Sequence, residues 1–206
     1  MKQATDVFDD WAHLGKDEGM ERGHGPAVEE MLNKALPKVT ANDNPFSFAD
    51  LGCGNGWVVR KIADHERCKQ ADGFDGAEHM IEKAKAADST NNYHLAMFPE
   101  VKPPQQYDLI HSMEFIYYLH DPKAMLQSIH DEWLSDGGWA ILGIDHYAEH
   151  EESLGWPEAL DVHMSTHTQK EWITMWEEVG FTEVQAWRAN QSPGKPGTLA
   201  ILGKKS

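Results

Sequence analysis

One short segment constrains the fold of this 206-residue chain more than any other: Asp50-Leu51-Gly52-Cys53-Gly54-Asn55-Gly56. It closes an apolar run, residues 46–51, that reads as a strand, and it leads into a helical stretch over 56–65. Three glycines at alternate positions let the backbone turn tightly and approach a ligand without Cβ clash. The helix that follows offers the free N–H groups of its first turn. Nineteen residues after Gly56, a second strand over 71–74 ends in Asp75-Gly76, and a helix over 77–87 begins. A carboxylate at that place can accept both hydroxyls of a ribose.

The spacing of the glycines separates two kinds of nucleotide site. A dinucleotide fingerprint, G-x-G-x-x-G, needs its third glycine to make room for a pyrophosphate. Counted from Gly52 that position is Trp57, and an indole there argues against a diphosphate cofactor. The loop is G-x-G-x-G, which suits a nucleoside without phosphates.

The rest of the chain repeats the alternation. Strands are predicted over 93–96, 107–111 and 139–144, with helices over 121–134 and 168–179. Strands alternating with helices of this length imply a parallel, doubly wound α/β sheet. Two late strands, 181–188 and 198–203, are joined only by the Pro/Gly loop 192–197, too short for a helical crossover, so they should pair antiparallel. Ahead of the sheet, helices are predicted over 3–14 and 26–36, with Pro26 at a first helical position. A Pro/Asn/Asp-rich hinge, 37–46, follows. The expected division is an N-terminal helical arm over 1–45 and a main unit over 46–206, one structural domain overall.

At this point the chain resembles the class I S-adenosylmethionine-dependent methyltransferases. DLGCGNG, FDGAEHM, YDLIHSMEFIYYLHDP and LSDGGWAILG match that family's successive motifs across about residues 46–203. The resemblance implies a Rossmann-like seven-stranded sheet with an antiparallel final strand, and S-adenosylmethionine as cofactor. It turns the backbones of Gly52, Gly54 and Gly56 toward the methionine part of the cofactor and Asp75 toward the ribose hydroxyls, with Asp50, Cys53 and Asn55 also among the cofactor-binding residues. Gly76, Met80, Met97 and Phe98 would border the adenine, and Ser112 and Met113 would follow the fourth strand into the site. One departure is Ala96, where many relatives carry an acid near the adenine amine.

Methyl transfer needs an aligned acceptor atom and, where that atom is protonated, a route for the proton. The candidates to handle the acceptor are His24, Tyr118 and His146, with Trp11, Met20, Tyr117, Tyr147 and Trp156 to bind it. The arm would act as a lid, with residues 19–25 as its turn. Tyr117 and Tyr118, being adjacent, are expected to point in different directions. Two i, i+4 histidine pairs, His146/His150 and His163/His167, have a metal-ligand spacing, yet Trp156-Pro157 breaks the segment and no metal is expected.

Composition narrows the partners. Eighteen Lys plus Arg against 34 Asp plus Glu give a net charge of -16, which repels nucleic acid. No apolar run is long enough for a membrane span, and two cysteines without framework spacing suggest a reduced, cytoplasmic setting. Residues 145–178 carry nine acids and a single base, Lys170, which favours a cationic or amine acceptor. The expectation is methylation of a small-molecule acceptor by a soluble enzyme. A protein side chain as acceptor and a non-catalytic cofactor-binding module are the alternatives, and the acceptor atom (N, O or S) stays open.

Overall fold

The computed structural model describes residues 1–206. Its elements in order are α1 (Ala4–His13), α2 (Met20–Val39), β1 (Phe46–Leu51), α3 (Trp57–Ala63), β2 (Cys68–Asp75) and α4 (Glu78–Ala87). Then come β3 (Asn92–Leu95), β4 (Tyr107–Met113), α5 (Pro122–Ser128), β5 (Leu134–Ile144), α6 (Trp156–Leu160), α7 (Gln169–Val179), β6 (Thr182–Ala189) and β7 (Thr198–Lys204). All seven strands lie in one sheet, ordered β3-β2-β1-β4-β5-β7-β6. β1 pairs parallel with β2 and β4, while β7 runs antiparallel to both β5 and β6. This is the doubly wound, Rossmann-like sheet with an antiparallel final strand that the alternation predicts. Its winding reverses between β1 and β4, so their carboxyl ends open the crevice where such sheets hold ligands.

Burial explains the strand sequences. Every residue of β1 is buried, as a central parallel strand covered on both faces requires. One face of the sheet packs α2 and α3 through Met31, Leu32, Val58 and Ile62. The opposite face packs α5 and α7 through Leu126, Trp172 and Trp176. Trp133, fully buried, stands edge-on to Phe74 at 4.9 Å, filling space beside the helix-free segment between β3 and β4. The helix ends carry local signals: Asp121 caps α5 by accepting from the Ala124 N–H at 2.9 Å. Thr168 and Glu171 form a capping box on α7, which stops at Gly180 with φ 111°.

Four expectations are corrected. The second helix starts at Met20, so Pro26 lies inside it and residues 20–25 are its first turns, with Gly19 closing a 3-10 turn ahead of it. Tertiary packing outweighs the proline cost here: Met20 rests against Gly54 and packs with Met80. The arm is also divided. α2 is built into the core, while α1 lies on α4, where Asp9 receives the His79 N–H at 2.7 Å. The helix expected over 121–134 ends its α-helical part at Ser128 and continues as a wider π turn, Ile129–Trp133. The fifth strand begins at Leu134, five residues early, because Leu134 already pairs with Tyr107 ahead of a register shift around Gly137, whose φ is 76°.

Candidate functional site

The glycine loop is held from below by β2. The Gly52 and Cys53 N–H groups both donate to the Phe74 carbonyl, at 2.8 and 3.0 Å. Asp75 completes the anchor: Oδ2 accepts from the Gly54 N–H and Oδ1 from the Ala77 N–H, each at 2.8 Å. Gly52, Gly54 and Gly56 all take positive φ (74°, 53° and 77°), a conformation that only glycine adopts freely. A Cβ on Gly52 would stand 2.7 Å from Phe115 Cβ, so the loop's close packing also requires glycine there.

Above this loop lies a cavity of about 450 Å³. Its floor is Gly52, Gly54, Asp75 and Gly76, and one wall is Met80, Ala96, Met97 and Phe98. The opposite wall is Met113, Glu114, Tyr117 and Tyr118 from the end of β4 and the 3-10 turn Ile116–Tyr118. α1 covers it with Phe8 and Trp11, α2 contributes Met20 and His24, and α6 contributes Trp156 and Leu160.

At the Glu114 wall, ionisable groups from three distant segments meet. Glu114 Oε2 accepts from the Tyr117 hydroxyl at 2.6 Å, and Oε1 accepts from the Asp145 N–H at 2.7 Å. The Tyr117 and Tyr118 hydroxyls are 3.4 Å apart, and His24 Nδ1 lies 3.8 Å from Asp145 Oδ2. Burial, with the nearby Asp145 charge, pushes the Glu114 carboxyl well above the usual carboxylate range. Burial also raises both tyrosine hydroxyls and lowers the His24 imidazole, the latter against the pull of Asp145. His24 is thus biased toward neutrality, and no Lys or Arg lines the cavity. Glu114 itself sits at φ 58°, a strained backbone for a residue with a side chain. On the floor, burial raises Asp75 as well, while the Ala77 and Gly54 amides favour its charged form.

Of the residues singled out from the sequence, fourteen line this cavity. They are Gly52, Gly54, Asp75, Gly76, Met80, Met97, Phe98 and Met113, with Trp11, Met20, His24, Tyr117, Tyr118 and Trp156. Seven stand outside the lining. Asp50 is buried beneath the loop, within 2.7 Å of His111 Nδ1. Cys53 is buried in the core, its Sγ set against Gly73. Asn55 donates to Asp17, which also pairs with Lys83 on α4. Gly56 leaves room for the Tyr93 ring. The Ser112 hydroxyl donates to the Leu51 carbonyl at 2.7 Å. Tyr147 is buried and donates to Gly197 O.

His146 is the largest correction among the acceptor candidates. It is fully buried, with Nδ1 at 2.9 Å from Ser153 O and Nε2 at 2.7 Å from Thr166 Oγ1, so no ring nitrogen faces an acceptor. Of the two tyrosines, Tyr117 packs in the core and Tyr118 is only partly buried, yet their rings tilt together and their hydroxyls lie 3.4 Å apart at the cavity instead of pointing apart. The histidine pairs are not on helices, and His150 and His163 bond to Asp145 O and Ser165 Oγ. Phe115, Leu119 and Leu160 line the cavity without any sequence signal that separates them from ordinary core.

Four of the nine acids of 145–178 have partners away from the cavity, Asp161 with the N-terminal amine among them. Glu149 accepts from the Gln169 N–H, Glu171 caps α7 and Glu178 pairs with Lys123. Asp145 alone among them approaches the cavity, through His24. The cavity's own carboxylates are Glu114 and Asp75.

The model of the methyltransferase domain matches residues 21–186 of this chain. The chain belongs to the class I S-adenosylmethionine-dependent methyltransferases. Within curated proteins, malonyl-[acyl-carrier protein] O-methyltransferase 2 from Ilyobacter polytropus is 26% identical over 130 residues. That match takes in 60% of this chain, which spans about half the length of that relative. Among solved structures, this methyltransferase is similar to a chain in the complex of the Haloferax volcanii Trm112 methyltransferase activator with a methyltransferase. There the TM-score is 0.83, with 23% identity over 100% of this chain and 99% of that one. It is also similar to the N-methyltransferase NodS from Bradyrhizobium japonicum, determined with S-adenosyl-L-homocysteine (TM-score 0.66, 19% identity, 87% and 88% coverage). At these identities the structural likenesses speak to the fold.

Proposed function

We propose that this methyltransferase transfers the S-adenosylmethionine methyl group to a small amine. The cavity fits the cofactor's chemistry at each end. Asp75 keeps free lone pairs on a carboxylate anchored by two amides, which suits ribose hydroxyls, and Gly52 and Gly54 leave the loop backbone open to a ligand. Met80, Ala96, Met97 and Phe98 form an apolar slot suited to a purine face. Bound there, the cofactor supplies an electrophilic methyl on a positively charged sulfur.

The observation that carries the amine reading is the Glu114 wall. The Glu114 carboxyl, without a Lys or Arg partner, lines a cavity ringed by Phe8, Trp11, Tyr118 and Trp156. Phe8 stands edge-on to both Trp11 and Tyr118 at 5.3 Å. An ammonium bound there would draw the raised Glu114 carboxyl toward its charged form and lie against the aromatic faces, whereas a carboxylate acceptor would find no cationic partner. α1 serves as the lid, and a cavity of about 450 Å³ covered in part by α1 favours a free metabolite, in a cytoplasmic setting. No helix is long and apolar enough to cross a membrane.

The test is S-adenosylhomocysteine release on a panel of small amines, phenols, thiols and carboxylates. Amines are expected to be the best acceptors. Preferential methylation of carboxylates would contradict the reading. The likeness to a chain solved with the Trm112 activator supports a second reading, a methyltransferase that works with a protein partner. Co-purification of a protein that raises the turnover of this chain would favour it.

A further inference from the structure

The hydroxyls of Tyr117 and Tyr118 and the Glu114 carboxylate form a chain leading from the cavity into the protein. Tyr117 donates to Glu114 Oε2 at 2.6 Å, so its single hydrogen is committed there. The two hydroxyls lie 3.4 Å apart, and with the Tyr117 hydrogen held by Glu114 only the Tyr118 hydrogen is left to link them. The Tyr118 oxygen is left as the acceptor facing the cavity. At 3.4 Å the link is long for an O–H···O bond, and catalytic hydrogen bonds of this kind shorten in the reacting complex. Glu114 Oε1 is occupied by the Asp145 N–H, which fixes the carboxylate and leaves Oε2 as the end of the chain. The groups facing Glu114 are Tyr117, Tyr118 and Asp145, with His24 beyond Asp145.

We propose that Glu114 takes the acceptor's proton through Tyr118 and Tyr117, acting as the base for methyl transfer. The proposal rests on the amine reading above for its preferred acceptor, although a phenol would need the same relay. An ammonium acceptor has no lone pair until one N–H bond breaks. Its proton passes to the Tyr118 oxygen as the Tyr118 hydrogen moves to Tyr117 and the Tyr117 hydrogen moves to Glu114. Both tyrosines end as neutral hydroxyls and the carboxylate becomes a carboxylic acid. The freed nitrogen lone pair forms the new N–CH3 bond, the S–CH3 bond breaks, and sulfur keeps that electron pair. The proton on Glu114 returns to solvent after product leaves. A carboxyl with raised proton affinity suits the role, for burial and Asp145 both push Glu114 in that direction.

The experiment compares wild type with Tyr117→Phe, Tyr118→Phe and Glu114→Gln. Turnover of amine and phenol acceptors is measured between about pH 6 and 10, alongside calorimetric S-adenosylhomocysteine affinity. Tyr117→Phe and Glu114→Gln are expected to lose about 100-fold in kcat near neutral pH. The loss should shrink toward high pH, where solvent has already deprotonated the acceptor, while S-adenosylhomocysteine affinity stays within about threefold of wild type. Tyr118→Phe should behave alike, which guards against one variant misfolding. Equal turnover at neutral pH, a loss that is the same at every pH, or a parallel collapse of S-adenosylhomocysteine affinity would overturn the relay. A wild type that methylates phenols but no amine overturns the amine reading, and the same variants on the phenol then decide the relay separately. No turnover on either acceptor class overturns both.

Discussion

Asp75, at the end of β2, receives the Gly54 amide at 2.8 Å, so the second strand holds the tip of the glycine loop in place. Its other oxygen receives the Ala77 amide at the start of α4. One side chain therefore fixes the loop and the next helix, and also faces the cavity. Replacing it with alanine leaves two amides without partners and removes the proposed ribose acceptor. Asp75→Ala should weaken S-adenosylhomocysteine binding by about 1.5–3 kcal/mol, as expected for hydrogen bonds to a charged group. It should also lower Tm by several degrees, at roughly 2–4 °C per kcal/mol for a chain of this size. Asp75→Asn, which keeps one acceptor oxygen, should fall between the two. Unchanged calorimetric affinity in both variants would remove Asp75 from the cofactor site.

The loop glycines are expected to separate into two kinds. A Cβ on Gly56 runs into the Tyr93 ring and lies 3.1 Å from Ala84 Cβ, on the core side. Gly56→Ala adds overpacking to left-handed strain and should cost about 2–5 kcal/mol of stability. A Cβ on Gly54 meets chiefly the flexible end of Met20, at 3.1 Å, and projects toward the cavity. Gly54→Ala should cost only about 1–2 kcal/mol of stability and show its main effect on S-adenosylhomocysteine affinity. Thermal melts and calorimetry on the same two proteins check this division, and identical profiles for the pair would contradict it.

The contact between α1 and α4 carries a pH dependence of known sign. His79 Nδ1 lies 2.7 Å from Asp9 Oδ2, both near the surface. The hydrogen bond and charge of Asp9 raise the His79 imidazole above its ordinary value. Desolvation alone would raise the Asp9 carboxyl, but the hydrogen bonds and charge of His79 together outweigh it and lower it. The raised imidazole contributes fully below its ordinary value, about 6.5, and that contribution is lost as pH rises through the folded value. The lowered carboxyl contributes above its ordinary value, about 3.9, and that contribution is lost as pH falls through the folded value. The α1–α4 contact is therefore firmest between these limits and loosens on either side of them. An NMR titration should show His79 titrating above its ordinary value in wild type and at it in Asp9→Asn, with amide protection of α1 falling as pH rises. Identical His79 titrations in the two proteins would contradict the pairing.

The sheet was legible in the sequence because its signals are local. Unbroken apolar strands, three glycines before a helix, and a loop too short for a crossover each act within a dozen residues. The site was legible where a backbone requirement and a ligand contact coincide, as at Gly52, Gly54 and Asp75. Where they separate, the same motif misleads: Gly56 and Cys53 are held by packing against Tyr93 and Gly73, beneath the cavity. Longer-range features were hidden. His24, Glu114 and Asp145 come from α2, β4's end and β5's end, and only the folded sheet brings them within hydrogen-bonding or ion-pair distance. Position after the fifth strand pointed to His146, yet the chain turns inward there and buries the ring between Ser153 and Thr166. Pro26 pointed to a helix start that the packing of Met20 on the glycine loop moves six residues earlier.

The most direct test of the account is calorimetric titration of the purified protein with S-adenosylhomocysteine. The cavity over Gly52, Gly54 and Asp75 predicts saturable binding at one site per chain, with Kd of about 1–100 μM, roughly -8 to -5.5 kcal/mol. Saturation at one site, weakened in Asp75→Ala, is the predicted result. Absence of saturable heat at about 1 mM ligand, a free energy weaker than roughly -4 kcal/mol, would contradict the account at its centre.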